Sequence, residues 1–411
     1  MLHLNNILRV AKYEFRSILR SLPVLLVMGG GIFVYGILYN YMYSPNVLLE
    51  VPVAVVDNGR TALSRRYVQL LDATPQVRIE GYATDIGEAH RRMIRGEAAG
   101  MLFLPNDFDE RVGRGEEAVF VSYNNTTSFL YYEAMEKAFS GAMLALDDAV
   151  RQQQLVFLDA DAVEAIVNTR SIGVEGIALF NESGGYADYL IPAVLMVIIF
   201  QTLLMVISMR CGKEHEQGNS RLLQIAGRQG PWEGALSIVI GKTVVYVGFY
   251  ALFALFLLGL LPLLYDLPHL ASPLVLIQLI IPYLYATAFF GLACSPFFKD
   301  SDAPLLLIAF FSVGLLFLSG ISWPLELMPF PWRVLHYLLP APVGVLAFVK
   351  ANSMGASIAD IGREMALLWT QCFVYFLIAC LVYRKRAEPR SYALFISEQI
   401  LHYSCSHSIG S

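Results

Sequence analysis

Twenty-one consecutive residues, YLIPAVLMVIIFQTLLMVISM from Tyr189 to Met209, carry no charged side chain. A helix of that length rises about 31 Å, enough to cross a hydrocarbon core of about 30 Å. Comparable apolar runs lie at 22–42, 235–262, 273–294, 303–321 and 364–383. Six such runs leave little choice of fold, because a backbone in lipid must satisfy its own hydrogen bonds and therefore coils into helices. Composition agrees: 15% of residues are charged, against roughly 25% in soluble domains. The expectation is an α-helical polytopic membrane protein.

The basic residues orient it. Arg9, Lys12, Arg16 and Arg20 precede the first run. Arg210, Lys213, Arg221 and Arg228 lie between the second and third, and Arg384, Lys385, Arg386 and Arg390 follow the last. The 263–272 loop has neither Lys nor Arg, and the 322–363 segment has three. Cytoplasmic loops carry the excess of Lys and Arg. Both termini and the 210–234 loop are thus expected in the cytoplasm, with six transmembrane helices between and 384–411 as a cytoplasmic tail. Residues 1–21 read as an interfacial amphipathic helix: Ile7, Leu8, Ala11, Phe15, Ile18 and Leu19 share one arc, and Arg9, Lys12, Arg16 and Arg20 the next. The span at 22–42 ends in YNYMY, an aromatic belt and not a small-residue cleavage site, so it reads as an uncleaved anchor.

Residues 43–186 have the composition of a soluble domain. VPVAVVD, VRIEGYA, AAGMLFLP and AVFVSYN read as strands. SRRYVQLLDA, DIGEAHRRMIRGE, FDERVGRGE and a long stretch from Thr127 read as helices. Strands alternating with helices predict a small α/β domain with a partly parallel sheet, and the charge rule puts it outside the cytoplasm. None of the five cysteines falls before residue 211, so this domain has no disulfide framework.

Residues 319–348 fit neither a continuous helix nor a solvated loop. Pro324, Pro329, Pro331, Pro340 and Pro342 interrupt an apolar segment that also carries Trp323 and Trp332. The reading is a re-entrant helical hairpin at the outer side. Gly241-Lys242-Thr243 is a decoy: a phosphate-binding loop needs a glycine where Leu236 stands. Lys242, in the cytoplasmic third of a span, reads as snorkelling toward headgroups. No metal-ligand spacing, no catalytic constellation and no concentrated basic face for nucleic acid is present. The spans hold almost no ionisable groups, which disfavours an ion relay.

The order of these parts resembles the ABC-2 (type-2) class of ATP-binding-cassette export permeases, in the bacterial subgroup with a large domain between the first two spans. VPVAVVDNGRTALSRRYVQLLDA looks like that family's first strand and helix, and SGISWPLEL with YLLPAPV like its outer re-entrant signature. EHEQG, Glu214 to Gly218, looks like its acidic–basic element after the second span. His215 and Gln217 stand where relatives carry basic residues, and Asn219 replaces a small hydroxylated residue, which it matches as a helix cap.

The resemblance implies a coupling element, Glu214, His215, Glu216, Gln217, Gly218 and Asn219, docking on a separate cytoplasmic ATPase that holds ATP and Mg. This chain itself then needs no cofactor and no ATPase site. Because Glu214 and Glu216 lie about 200° apart on a helix, one should face the ATPase and one the basic row of the interfacial helix. Trp323, Pro324, Glu326 and Pro329 are expected near an outer gate. The implied assembly is a permease subunit of a drug, lipid or envelope-component exporter in a bacterial inner membrane, paired with itself or a paralogue, with a periplasmic adaptor as a further candidate partner. The competing expectation is a membrane-anchored adaptor whose outer domain binds an envelope partner without transport.

Overall fold

The computed structural model describes residues 2–43, 47–114, 118–125, 128–155, 185–218, 230–265, 269–301 and 303–387, together with 116 and 267. The chain divides into two compact units: Met1–Ser44 with Ala187–Ser411, and Pro45–Tyr186.

In the first unit α1 (Leu2–Leu19) precedes α2 (Leu22–Met42), where Ser21 and Pro23 mark the break. The other long helices are α7 (Tyr186–Glu216), α8 (Pro231–Leu264), α9 (Pro273–Ala293), α10 (Ala303–Leu318), α11 (Phe330–Leu338), α12 (Pro340–Met354) and α13 (Gly362–Ala387). Five of them, α2, α7, α8, α9 and α13, are long and apolar enough to cross a membrane. The run read as a fifth span, 303–321, forms the 16-residue α10, about 24 Å long. The proline-rich segment forms α11 and α12, which meet at a bend of 83° and count as a sixth span only if taken together.

Helix α7 is the centre of this unit. Its apolar window is 83% buried, against 22–50% for the other four, which explains why Val, Ile, Leu and Met occur all round it rather than on one stripe. Around it α9 packs on α13, and α1 lies along α8. The Tyr283 hydroxyl on α9 donates to the Met196 carbonyl on α7 at 2.8 Å, an interhelical bond of the kind expected of isolated polar groups in a bundle.

Two helix ends of α13 are fastened differently. At its start Lys350 of α12 pairs with Glu364 at 2.7 Å, and Arg363 donates to the Tyr337 hydroxyl of α11 at 2.8 Å. At its end Arg384 lies 4.4 Å from the Trp232 ring centroid at the start of α8. The α11–α12 bend and the first turns of α8 are therefore separated by about 30 Å along α13, roughly one hydrocarbon thickness.

The second unit holds a four-stranded sheet. β1 (Val51–Asp57) pairs in parallel with β2 (Val77–Tyr82) and β3 (Gly100–Leu104), and β3 pairs antiparallel with β4 (Val121–Asn124), giving the order β2-β1-β3-β4. The helices are α3 (Ala62–Asp72), α4 (Ile86–Ile94), α5 (Phe108–Gly113) and α6 (Phe129–Leu155). Period-2 alternation sorts the central strand. Val51, Val53 and Val55 pack with Tyr67 and Leu71 of α3 and Met135 and Phe139 of α6, while Ala54 and Val56 pack with Ala89 of α4. All four strands and the long helix read from sequence are present, with the partly parallel pairing.

Candidate functional site

Helix α1 has three faces. With 3.6 residues per turn, Asn6, Val10, Glu14 and Ile18 line up at i, i+4 spacing, and all four are buried. Leu4, Leu8, Phe15 and Leu19 form an exposed apolar face, and Arg9, Lys12 and Arg16 an exposed cationic one. The buried face meets α8 closely. A Cβ on Gly241 would lie 2.9 Å from the Ile7 carbonyl oxygen and 2.9 Å from the Val10 Cβ, so glycine is what permits the approach.

That approach carries Glu14 into a node of buried charge. Arg210 of α7 donates from Nε to Glu14 at 3.2 Å and from its terminal nitrogen at 3.4 Å. The same guanidinium reaches Glu214, one turn further along α7, at 3.5 Å. Lys242 of α8 donates to both carboxylate oxygens of Glu214, at 2.7 and 2.6 Å, and lies 3.9 Å from Glu14. The Tyr246 hydroxyl, one turn beyond Lys242, donates to Glu14. All four charged side chains are at most 4% exposed. Two carboxylates against two cations make the node neutral, and a neutral, hydrogen-bonded set is the form in which buried charge is tolerated. Burial acts to raise the Glu14 carboxyl, but Lys242 and Arg210 beside it prevail and hold it at about 2.

Helix α13 closes the node. The Tyr383 ring lies 6.0 Å from the Lys242 ammonium, and its hydroxyl is 3.6 Å from the Cys211 sulfur of α7. Four helices far apart in sequence thus share one polar contact.

Several expectations change here. Lys242 does not snorkel: it is fully buried and paired with Glu214 at 2.6 Å and Glu14 at 3.9 Å. To Lys242, the ionisable group expected in a span, the longer α7 adds Arg210 and Glu214. Helix α7 continues through Glu216 rather than ending at Met209, since its first polar residues are neutralised from α1 and α8. Glu214 faces Arg210 and Lys242 instead of the exposed basic row. Glu216 is exposed and accepts a bond from the Ser301 amide at 3.0 Å. His215 is half-buried, Gln217 exposed, and Gly218 takes the left-handed φ of +73° that ends the helix. Asn219 lies outside the described residues.

Arg9, Lys12, Arg16 and Arg20 line a groove of about 550 Å³ with Lys213 and Gln217. Trp323, Pro324, Glu326 and Pro329 are exposed around a short turn before α11. They stand near the far end of α13 from the node and are not brought to it. Glu14 and Tyr246 are the node residues that sequence reasoning missed. The signal was available for Glu14: it is the only acid in α1, and it falls four residues from both Val10 and Ile18 on the apolar side of the wheel.

A bundle of long apolar helices with a neutralised polar node at one end defines a helical polytopic membrane protein. The chain belongs to the ABC-2 family: the family model described as ABC-2 family transporter protein matches residues 18–381. No match was found among curated proteins. Members of this family are transmembrane permease components, and they generally partner with a cytoplasmic ATPase rather than carrying ATPase activity themselves.

Proposed function

We propose that this chain is the permease subunit of an ATP-driven exporter in a bacterial inner membrane, working as a pair of permeases with two copies of a separate cytoplasmic ATPase. ATP binding and hydrolysis on the partner drive outward movement of a drug, lipid or envelope component. Residues 43–186 stand outside the cytoplasm and both termini inside it, as the distribution of Lys and Arg supports. The outer gate includes Trp323, Pro324, Glu326 and Pro329.

The observation that carries the coupling mechanism is the node of Glu14, Arg210, Glu214 and Lys242. The exposed residues Glu216 and Gln217 and the half-buried His215, with Gly218 and Asn219, dock on the ATPase at the end of α7. The buried residues one turn earlier fix α7 to α1 and α8. A push on the loop therefore moves three helices as one body, because separating them strands unpaired charge in a low dielectric. Glu214 transmits and Glu216 touches.

Co-purification with the cognate ATPase separates the two roles. Glu216→Ala with His215→Ala is expected to weaken the complex. Glu214→Gln with Lys242→Gln, which removes one charge of each sign, is expected to leave the complex formed and lower permease-stimulated ATP hydrolysis about tenfold, equivalent to about 1.4 kcal/mol. Wild-type hydrolysis and transport in that second variant would sink the coupling assignment.

A further inference from the structure

The groove beside α1 is charged on one side of the balance only. Arg9, Lys12, Arg16 and Arg20 line it from α1, and Lys213 with Gln217 from the end of α7, and among the described residues no carboxylate lines it. Among the described residues these five cations have no ion pair. The contrast lies within the same chain. Arg92 pairs with Glu88, Arg111 with Asp107, Arg114 with Glu110 and Lys137 with Glu133, each four residues apart and at least partly exposed. The only carboxylate of α1, Glu14, is turned to the opposite face and used up in the node.

We propose that this groove binds the phosphodiester of an anionic membrane lipid, with the acyl chains lying along Leu4, Leu8, Phe15 and Leu19. The inference rests on the reading of α1 as a helix at the cytoplasmic membrane surface. Guanidinium forks match phosphate oxygens in pairs, and Lys213 adds a compact charge from a second helix. A volume of about 550 Å³ holds a glycerophosphate headgroup. A lipid rather than a soluble anion is favoured by the adjacent face: Leu4, Leu8 and Leu19 are 64%, 58% and 47% exposed, about a quarter-turn round the helix from the cations. An apolar stripe next to a cation row is the arrangement in which one amphiphile satisfies both. Because Glu14 ties the reverse side of α1 to Arg210 and Lys242, an occupied groove also braces the node.

The full chain is purified into phosphatidylcholine nanodiscs containing a minor fraction of phosphatidylglycerol, and lipid retained on the protein is measured by native mass spectrometry. The expected result is at least tenfold enrichment of phosphatidylglycerol over its bulk fraction. Enrichment should be lost in Arg9→Gln/Lys12→Gln/Arg16→Gln, lowered but not lost in the charge-preserving Arg9→Lys/Arg16→Lys, which keeps the charge without the fork, and kept in the control Arg91→Gln/Arg95→Gln. Equal enrichment in the triple variant would overturn the site. Displacement by inorganic phosphate at millimolar concentration would overturn the lipid in favour of a free anion. Unchanged lipid retention with loss of ATPase binding would make the groove a protein dock and overturn it too. The lipid measurement is made on the chain alone and ATPase binding is read in a separate co-purification, so a failure of lipid retention leaves the coupling role of the node standing, and the reverse holds.

Discussion

Glu14 shows how a single residue decides what a helix is for. An amphipathic helix with an unbroken apolar stripe slides in a headgroup layer; one with a buried carboxylate in that stripe is fixed wherever its cations are. Lys242 gives the same lesson from the other partner. A lysine inside a span costs several kcal/mol of desolvation unless an anion accompanies it, and the two acids that accompany it come from α1 and α7. Removing one member leaves the remainder unbalanced. Glu14→Gln is expected to destabilise the chain by about 3–5 kcal/mol, read as a lowered unfolding temperature in detergent. Glu14→Gln combined with Arg210→Gln restores neutrality and should recover part of that loss. If the double variant is as unstable as the sum of the singles, the node is not a coupled set. This pairing was invisible to linear reading because its members are separated by 196 and 28 residues. Only the position of Glu14 on the wheel hinted at it.

At the scale of elements, the second unit was the most legible part of the chain. Each strand carries a run of buried or alternating apolar residues, and the starts of α3 and α4 have their caps written locally. Thr61 accepts from the Ser64 amide at 3.1 Å, and Asp85 from the Glu88 amide at 2.8 Å. Glu88 completes the start of α4 by accepting from the Thr84 amide at 2.8 Å and its hydroxyl at 2.6 Å, with Arg92 at 2.7 Å. The Thr84 bonds, then Arg92, hold its carboxyl down at about 2, below the unfolded value of about 4.3. The contribution is therefore present above about pH 4.3 and disappears as pH falls toward 2. Glu88→Gln should speed amide exchange in the peptide spanning Thr84 to Ile94 at pH 7. The difference from wild type should vanish near pH 2, with both proteins compared at the same pH. A difference that persists at pH 2 would show that the side chain acts through packing instead of charge. Spans were harder to bound than strands. A run of apolar residues marks where lipid can be crossed, but α7 extends past its own run because neighbours neutralise Arg210 and Glu214, and α10 stops short at 16 residues.

For the whole molecule the informative quantity is the separation of two polar ends along one helix. Helix α13 begins at Arg363 and Glu364, tied to α11 and α12, and ends at Tyr383 and Arg384, beside Lys242 and Trp232. Twenty residues of helix between them rise about 30 Å. If the node end faces the cytoplasm, the exposed turn bearing Glu326 must face the other side, whatever the number of spans in between. Accessibility to a membrane-impermeant maleimide tests this without an assumed span count. In a background lacking Cys211, Cys294, Cys372, Cys380 and Cys405, Glu326→Cys should label in intact spheroplasts. Gln217→Cys should label only in inside-out vesicles, because both side chains are exposed in the fold and the bilayer alone decides access. Labelling of both from one side would mean that α13 does not cross. The node would then no longer stand between an inner docking loop and an outer gate, and the coupling path through Glu14 and Glu214 would have nothing to connect.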